Sequence, residues 1–157
     1  MDKTRLLQAI IERINAELEM QTRAALMARD EATHEESKAE NQYDMHAQEA
    51  AYLAEGQAKL AAELRDSISL YQSLALPLFT PTQPIGLGAV VTLDAAGRKT
   101  RYFLGPRNGG IEVSFEGTDI IVVTPQSPLG RLLVGRRVGD TVNTPGRTAT
   151  QRIDAIE

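Results

Sequence analysis

SPLGRLLVGRRVGDTV, residues 127–142, follows directly on the β-rich run DIIVVTPQ, residues 119–126. Ser127 suits a helix N-cap, because its side-chain oxygen can accept from an early backbone N–H, and Pro128 suits the first helical position. Leu129, Leu132, Leu133 and Val134 supply one to two apolar turns. Gly135 can close them in a left-handed cap. Arg136 and Arg137 follow, where a cation complements the helix dipole. Gly139-Asp140 then turns the chain into a final strand. A strand, a short capped helix and a return strand within so few residues predict a small α+β domain. The neighbouring β-type runs, 88–93, 100–105, 111–115, 119–124 and 148–156, extend that domain, with Asn108-Gly109 as a hairpin signal.

The first half of the chain has a different period. Residues 2–74 contain no proline and one glycine, Gly56, and are rich in the helix formers Ala, Glu, Gln, Leu and Arg. Leu7, Ile11, Ile14, Leu18, Gln21, Ala25, Ala28 and Ala32 alternate at spacings of four and three, a coiled-coil seam. Leu53, Leu60, Leu64, Ile68 and Tyr71 are expected to form the matching stripe. Two long helices bury such stripes most economically as an antiparallel hairpin folded between Thr33 and Glu40. Large aliphatics near the open end and alanines near the fold predict a thin tip, the small residues bringing the helices close. The stretch ALPLFTPTQPIGL, residues 75–87, carries three prolines and breaks the helix. The expected organisation is therefore a hairpin over 1–76, a linker over 77–87 and a small sheet domain over 88–157.

The 157 residues include no cysteine and no tryptophan, so disulfides and thiolate metal sites are excluded. The opening MDKTRLLQAI has charges inside its apolar run and does not read as a signal peptide. No run reaches the roughly 18 apolar residues of a membrane span. A cytoplasmic protein is expected. The net charge of −4 hides an asymmetry: residues 1–79 hold 14 acids and 8 bases, residues 80–157 hold 7 acids and 9 bases. Asp30, Glu31, Glu35, Glu36, Glu40, Asp44 and Glu49 crowd the hairpin tip against one base, Lys38. Such carboxylates favour a cation, and two of them can complete a Mg²⁺ site whose other ligands belong to a partner. His34 and His46 read as surface residues. No histidine follows His46, so the second half holds no Ser-His-Asp set. Its Gly-rich run, residues 105–110, lacks the lysine of a phosphate loop. The acidic first half argues against direct DNA binding.

The segment 127–142 fits SPxxxxLxGxxxGDxV and, with a helical hairpin before it, resembles the GreA/GreB family of bacterial transcript-cleavage factors. The resemblance extends through ARDEATHEESKAENQYDMHAQEAAYLAEGQAKLAAEL, residues 28–64, where Glu40-Asn41 and Glu55-Gly56 match the family's Glu-Asn and Glu-Gly pairs. It implies an FKBP-like second domain, an antiparallel sheet with one short helix. It implies RNA polymerase core as partner, with Ser127, Pro128, Leu129, Gly130 and Arg131 at or beside the contact. It implies a monomeric accessory factor, itself no enzyme, whose tip enters the polymerase secondary channel and approaches the nascent RNA. There Glu35, Glu36, Glu40 and Asp44 are the candidate catalytic acids, with Glu36 and Glu40 sharing Mg²⁺ with the polymerase and no cofactor held alone. Two metals would then stabilise the attacking and leaving oxygens.

One departure bears on the chemistry. With Glu40-Asn41 aligned, the family's metal-binding Asp falls on Ser37, and about four extra residues lie between Arg29 and Ser37, roughly one helical turn. Aligning Lys38 instead puts Glu36 on that Asp and loses the Glu-Asn match. Two alternatives stand beside the cleavage factor: a secondary-channel modulator or inhibitor that does not stimulate cleavage, and, from another class, a structural coiled-coil adaptor.

Overall fold

The computed structural model describes residues 1–33, 45–144, 146 and 149–157. Two long helices come first, α1 (Lys3–Thr33) and α2 (Met45–Gln72). Strands β1 (Val90–Ala95), β2 (Arg98–Leu104), β3 (Glu112–Phe115) and β4 (Thr118–Val123) follow. A short helix α3 (Pro128–Leu133) then leads to β5 (Thr141–Val142) and β6 (Gln151–Ile156). The chain forms an α+β fold in two compact units, one of residues 1–13 with 70–157, the other of residues 14–69.

In the second unit, eleven residues separate the helices, which is too short a connection to run back along 28 residues of α2 (about 42 Å of helix), so the pair is an antiparallel hairpin. On α1, Ile14 is buried and Leu18, Gln21, Ala25 and Ala28 are half-buried, the predicted seam. On α2 the seam differs from the expected one. Ala54, Gln57, Ala61 and Leu64, at alternating spacings of three and four, and then Ser67 and Ile68 are the covered positions. Leu53 and Leu60 are 61% and 36% exposed, off the seam. A heptad runs through Leu64 and lands on small and polar residues, while the large leucines fall one position away. An open cleft of about 350 Å³ lies along the hairpin, lined by Ala25, Ala54, Ala58 and Ala61 and flanked by Arg29 and Arg65.

In the first unit, Asp2 caps α1, its Oδ1 accepting from the N–H groups of Thr4 and Arg5, each at 3.1 Å. The opening turns of α1 bury Leu6, Ile10 and Ile11. The Arg5 guanidinium lies over the Phe115 ring of β3, 5.9 Å from its centroid. Tyr71, fully buried at the end of α2, donates its hydroxyl to the Arg107 carbonyl at 2.6 Å, and burial pushes its phenol well above the ordinary range.

The sheet has six strands in the order β3-β4-β2-β1-β6-β5. All pairs are antiparallel except β2 with β4, which run parallel, so the sheet is mixed rather than purely antiparallel. The cause is the path of residues 105–111. They carry the chain past the position of β4 to place β3 at the edge, so Asn108-Gly109 sits in a crossover and not in a hairpin. Asn108 takes the left-handed conformation (φ 55°), followed by Gly110 rather than Gly109 (φ 94°). The tight hairpins lie elsewhere. Ala96-Gly97 joins β1 to β2 and Glu116-Gly117 joins β3 to β4, both residues of each pair having positive φ, as a type I′ turn requires. Strand β5, two residues long, was outside the predicted runs. One face of the sheet buries Val91, Leu93, Tyr102, Leu104, Val123 and Ile153, and Leu133 of α3 packs into that core.

Candidate functional site

Helix α3 is one turn and a half whose every turn-making residue is accounted for. The Ser127 backbone is extended (φ −68°, ψ 156°), and its Oγ accepts from Gly130 N–H at 3.0 Å. The same hydroxyl donates to the Thr124 carbonyl at 2.8 Å, and Ser127 N–H donates to that carbonyl at 3.0 Å. Thr124, at the end of β4, is thus stitched twice to the cap. Gly130 is what permits this closeness: a Cβ there would lie 1.8 Å from the Thr124 oxygen. Any side chain at 130 would push the helix off the strand end.

The far end of α3 is equally determined. Val134 N–H donates to Gly130 O at 2.9 Å, and Gly135 takes φ 80°, the left-handed cap that the sequence predicts. Arg137 N–H donates to Asp140 Oδ2 at 2.9 Å, and Asp140 N–H returns to Arg137 O at 3.1 Å, closing a turn around Gly139. Gly139 N–H then donates to Ile153 O, and Ile153 N–H to Asp140 O, both at 2.8 Å, which ties the turn to β6. The Gly, Gly and Asp of the sequence segment therefore build the scaffold. Pro128, Arg131 and Arg136 are left at the surface.

Beside α3 lies an open groove of about 580 Å³ that Ser127, Pro128 and Leu129 line together with Gly109, Thr124 and Thr144. Of the five residues predicted at the contact surface, these three share the groove, Gly130 is buried beneath them and Arg131 is exposed on the same helix. Sequence reasoning missed the opposite wall, Gly109-Gly110, residues 121–123 of β4 and Thr124 just after it. The sequence marks that wall only through its Gly-rich run, residues 105–110. The half-exposed apolar edge of Leu129 and Ile121 gives the groove its character; both also pack on the sheet core.

The predicted acidic site, Glu35, Glu36, Glu40 and Asp44, with Ser37 among them, lies outside the described residues. Among the described residues no group of three or more His, Cys, Asp or Glu side chains is placed to hold a metal ion. No described helix is long and apolar enough to cross a membrane.

No family model matches the chain, and no curated protein matches it. Solved structures do. Gfh1, a GreA factor homologue of Thermus thermophilus, is similar over 94% of this chain and 94% of its own, at 24% identity and a TM-score of 0.37. Gfh1 of Thermus aquaticus is 28% identical over 96% of this chain and 95% of its own, with a TM-score of 0.39. A further structure, described as the transcription factor Gfh1, is 24% identical over 95% of this chain and 94% of its own, with a TM-score of 0.39.

Proposed function

We propose that this protein is a Gre-like regulator of transcription elongation, an accessory factor that binds RNA polymerase core through the groove beside α3. The observation that carries the reading is the build of residues 124–140. Ser127, Gly130, Gly135, Gly139 and Asp140 are each consumed in holding one short helix in place, and what that scaffold presents is Pro128, Leu129 and Arg131 at an open apolar groove. A rigid concave patch with a charged rim suits a protein partner. The hairpin would then be the inserted element, with Glu35, Glu36, Glu40 and Asp44 at its tip near the polymerase Mg²⁺ and the nascent RNA.

Pro128 offers a clean test. It is exposed, it lines the groove, and it stands at the first helical position, where an acid is welcome. Pro128→Glu should leave the melting temperature unchanged and weaken retention on immobilised RNA polymerase core by about tenfold, the effect of one unmatched charge in a contact. Equal retention of Pro128→Glu and the wild type would remove the groove from the interface. Failure of the wild type to bind polymerase would sink the whole reading and favour the coiled-coil adaptor.

A second reading, the modulator that does not stimulate transcript cleavage, is favoured by Ser37 standing where the family places a metal-binding Asp. Two carboxylates three residues apart share a helical face, and Ser37 with Glu40 supplies only one.

A further inference from the structure

The proline-rich stretch between α2 and β1 has a closed form. At one end, Gly88 takes φ 79° and lies so near Ala75 that a Cβ would stand 2.8 Å from the Ala75 carbonyl oxygen. The two ends of residues 75–88 therefore meet, as in an Ω-loop. Within the loop, Gln83 N–H donates to Thr80 O at 3.0 Å, and Thr80 N–H donates to Gln83 Oε1 at 2.8 Å.

A single side chain grips both ends. The Lys3 ammonium, on the first turn of α1, donates to the Pro77 carbonyl and to the Gly88 carbonyl, the latter at 3.2 Å. It also lies over the Phe79 ring, 4.9 Å from the centroid. Lys3 is only 7% exposed. A buried lysine is unusual, and here its partners are two carbonyls and a ring, all recruited by its charge.

The middle of the loop grips α3. Ile85, itself buried, donates its N–H to Arg136 O at 2.8 Å and accepts from Gly135 N–H at 2.9 Å. Arg137 Nε donates to Thr82 O at 2.9 Å. The chain of bonds thus runs from Lys3 to Pro77 and Gly88, through the loop, to the residues that terminate α3.

We infer that residues 75–88 are a clasp closed by the charge of Lys3, which fixes the exit of α3 to the first turn of α1. Its significance for docking rests on the groove reading above, because α3 forms one wall of that groove. The clasp itself stands apart from that reading and is tested without polymerase.

The test is amide hydrogen exchange on the full chain. Lys3→Met keeps the length of the side chain and removes the charge. It should speed exchange at Gln83, Ile85 and Gly135 by about tenfold or more, as expected where a charged hydrogen bond is lost and opening is local. Val122, whose N–H bonds to Ile111 O in the sheet, should keep its rate. Leu6→Ala is the control: it loosens the buried base without touching the clasp and should speed Val122 and Ile85 together. If Lys3→Met leaves Ile85 and Gly135 unchanged, or raises them only in step with Val122, the clasp is refuted. Should Lys3→Met not fold, Lys3→Gln removes the charge while keeping a polar side chain, and the same amides decide by the same criterion. Unaltered polymerase retention alongside local opening would break the link to docking while leaving the clasp intact.

Discussion

The sheet unit and the hairpin unit bury their apolar residues in opposite ways. In the sheet unit, Leu93, Phe103, Leu104, Ile120, Leu133 and Ile153 are all fully covered. In the hairpin unit, Ile14 and Leu64 are the large aliphatics that are nearly or fully covered, whereas Met20, Met27, Tyr52 and Leu53 are each more than 60% exposed. A sheet face is a two-dimensional surface that a helix or loop can cover. A two-helix seam is a single line, and every large residue off that line stays in solvent. The hairpin is therefore held by few contacts per residue, and single substitutions on the seam should matter more than their hydrophobicity suggests.

The largest effect is expected where the sheet unit leaves no room. Gly130→Ala drives a methyl group into the Thr124 carbonyl, at 1.8 Å, and backbone rather than a flexible side chain must yield. Overpacking of this kind should cost about 3 kcal/mol. Denaturant unfolding checks the figure, and a loss below about 1 kcal/mol would mean that α3 slides on β4 more easily than its bonds to Thr124 imply.

The next effect separates seam from surface within one helix. Leu64→Ala, at a position 3% exposed, should destabilise by about 2 kcal/mol, and Leu60→Ala, at 36% exposed, by less than about 1 kcal/mol. The order of the two is the measurement that matters. Equal losses would return Leu60 to the seam and shift the helix register by one position.

Leu60 also shows what could be read in advance and what could not. The 4-3 spacing on α1 was legible because large residues, Ile11, Ile14 and Leu18, mark it without ambiguity. On α2 the heptad passes through Ala54, Gln57 and Ala61, and spacing alone cannot outvote the pull of Leu53 and Leu60. Most of the α3 segment was readable, since Ser127, Gly135 and Gly139 each answer a local demand of capping or turning, whereas the demand on Gly130 comes from the Thr124 carbonyl and showed only in the structure. The β2–β4 parallel pairing was not. Asn-Gly is a strong local hairpin signal, but strand order is set by which edges remain free, and that depends on contacts far apart in sequence. Ala96-Gly97 and Glu116-Gly117 form the true turns with an ordinary residue in the left-handed conformation, a conformation that Ala and Glu do not advertise. The groove's near wall was legible for the same reason that α3 was. Its far wall, on β4 and the 109–110 crossover, came only with the topology. Lys3 was invisible as anything but a surface lysine, because its carbonyl partners lie 74 and 85 residues away.

The smallest effect has the opposite sign. Gln57 occupies a seam position, half-buried between Ala54 and Ala61, and its Oε1 is buried with no hydrogen-bond partner among the described residues. A carbonyl oxygen in that state loses its water and gains nothing in return. Leucine is close to glutamine in length, suits a coiled-coil core position, and removes the unmet acceptor. Gln57→Leu should therefore raise stability, by about 1 kcal/mol. The gain should appear in the hairpin alone: exchange should slow at amides near Ala61 and Leu64 and stay constant at Val122 in the sheet. A loss of stability would mean that Gln57 has a polar partner across the seam, and the seam would then be specified by that polar layer rather than weakened by it. Either sign sharpens the contrast between a covered sheet and a narrow seam, because it measures what one position on that line is worth.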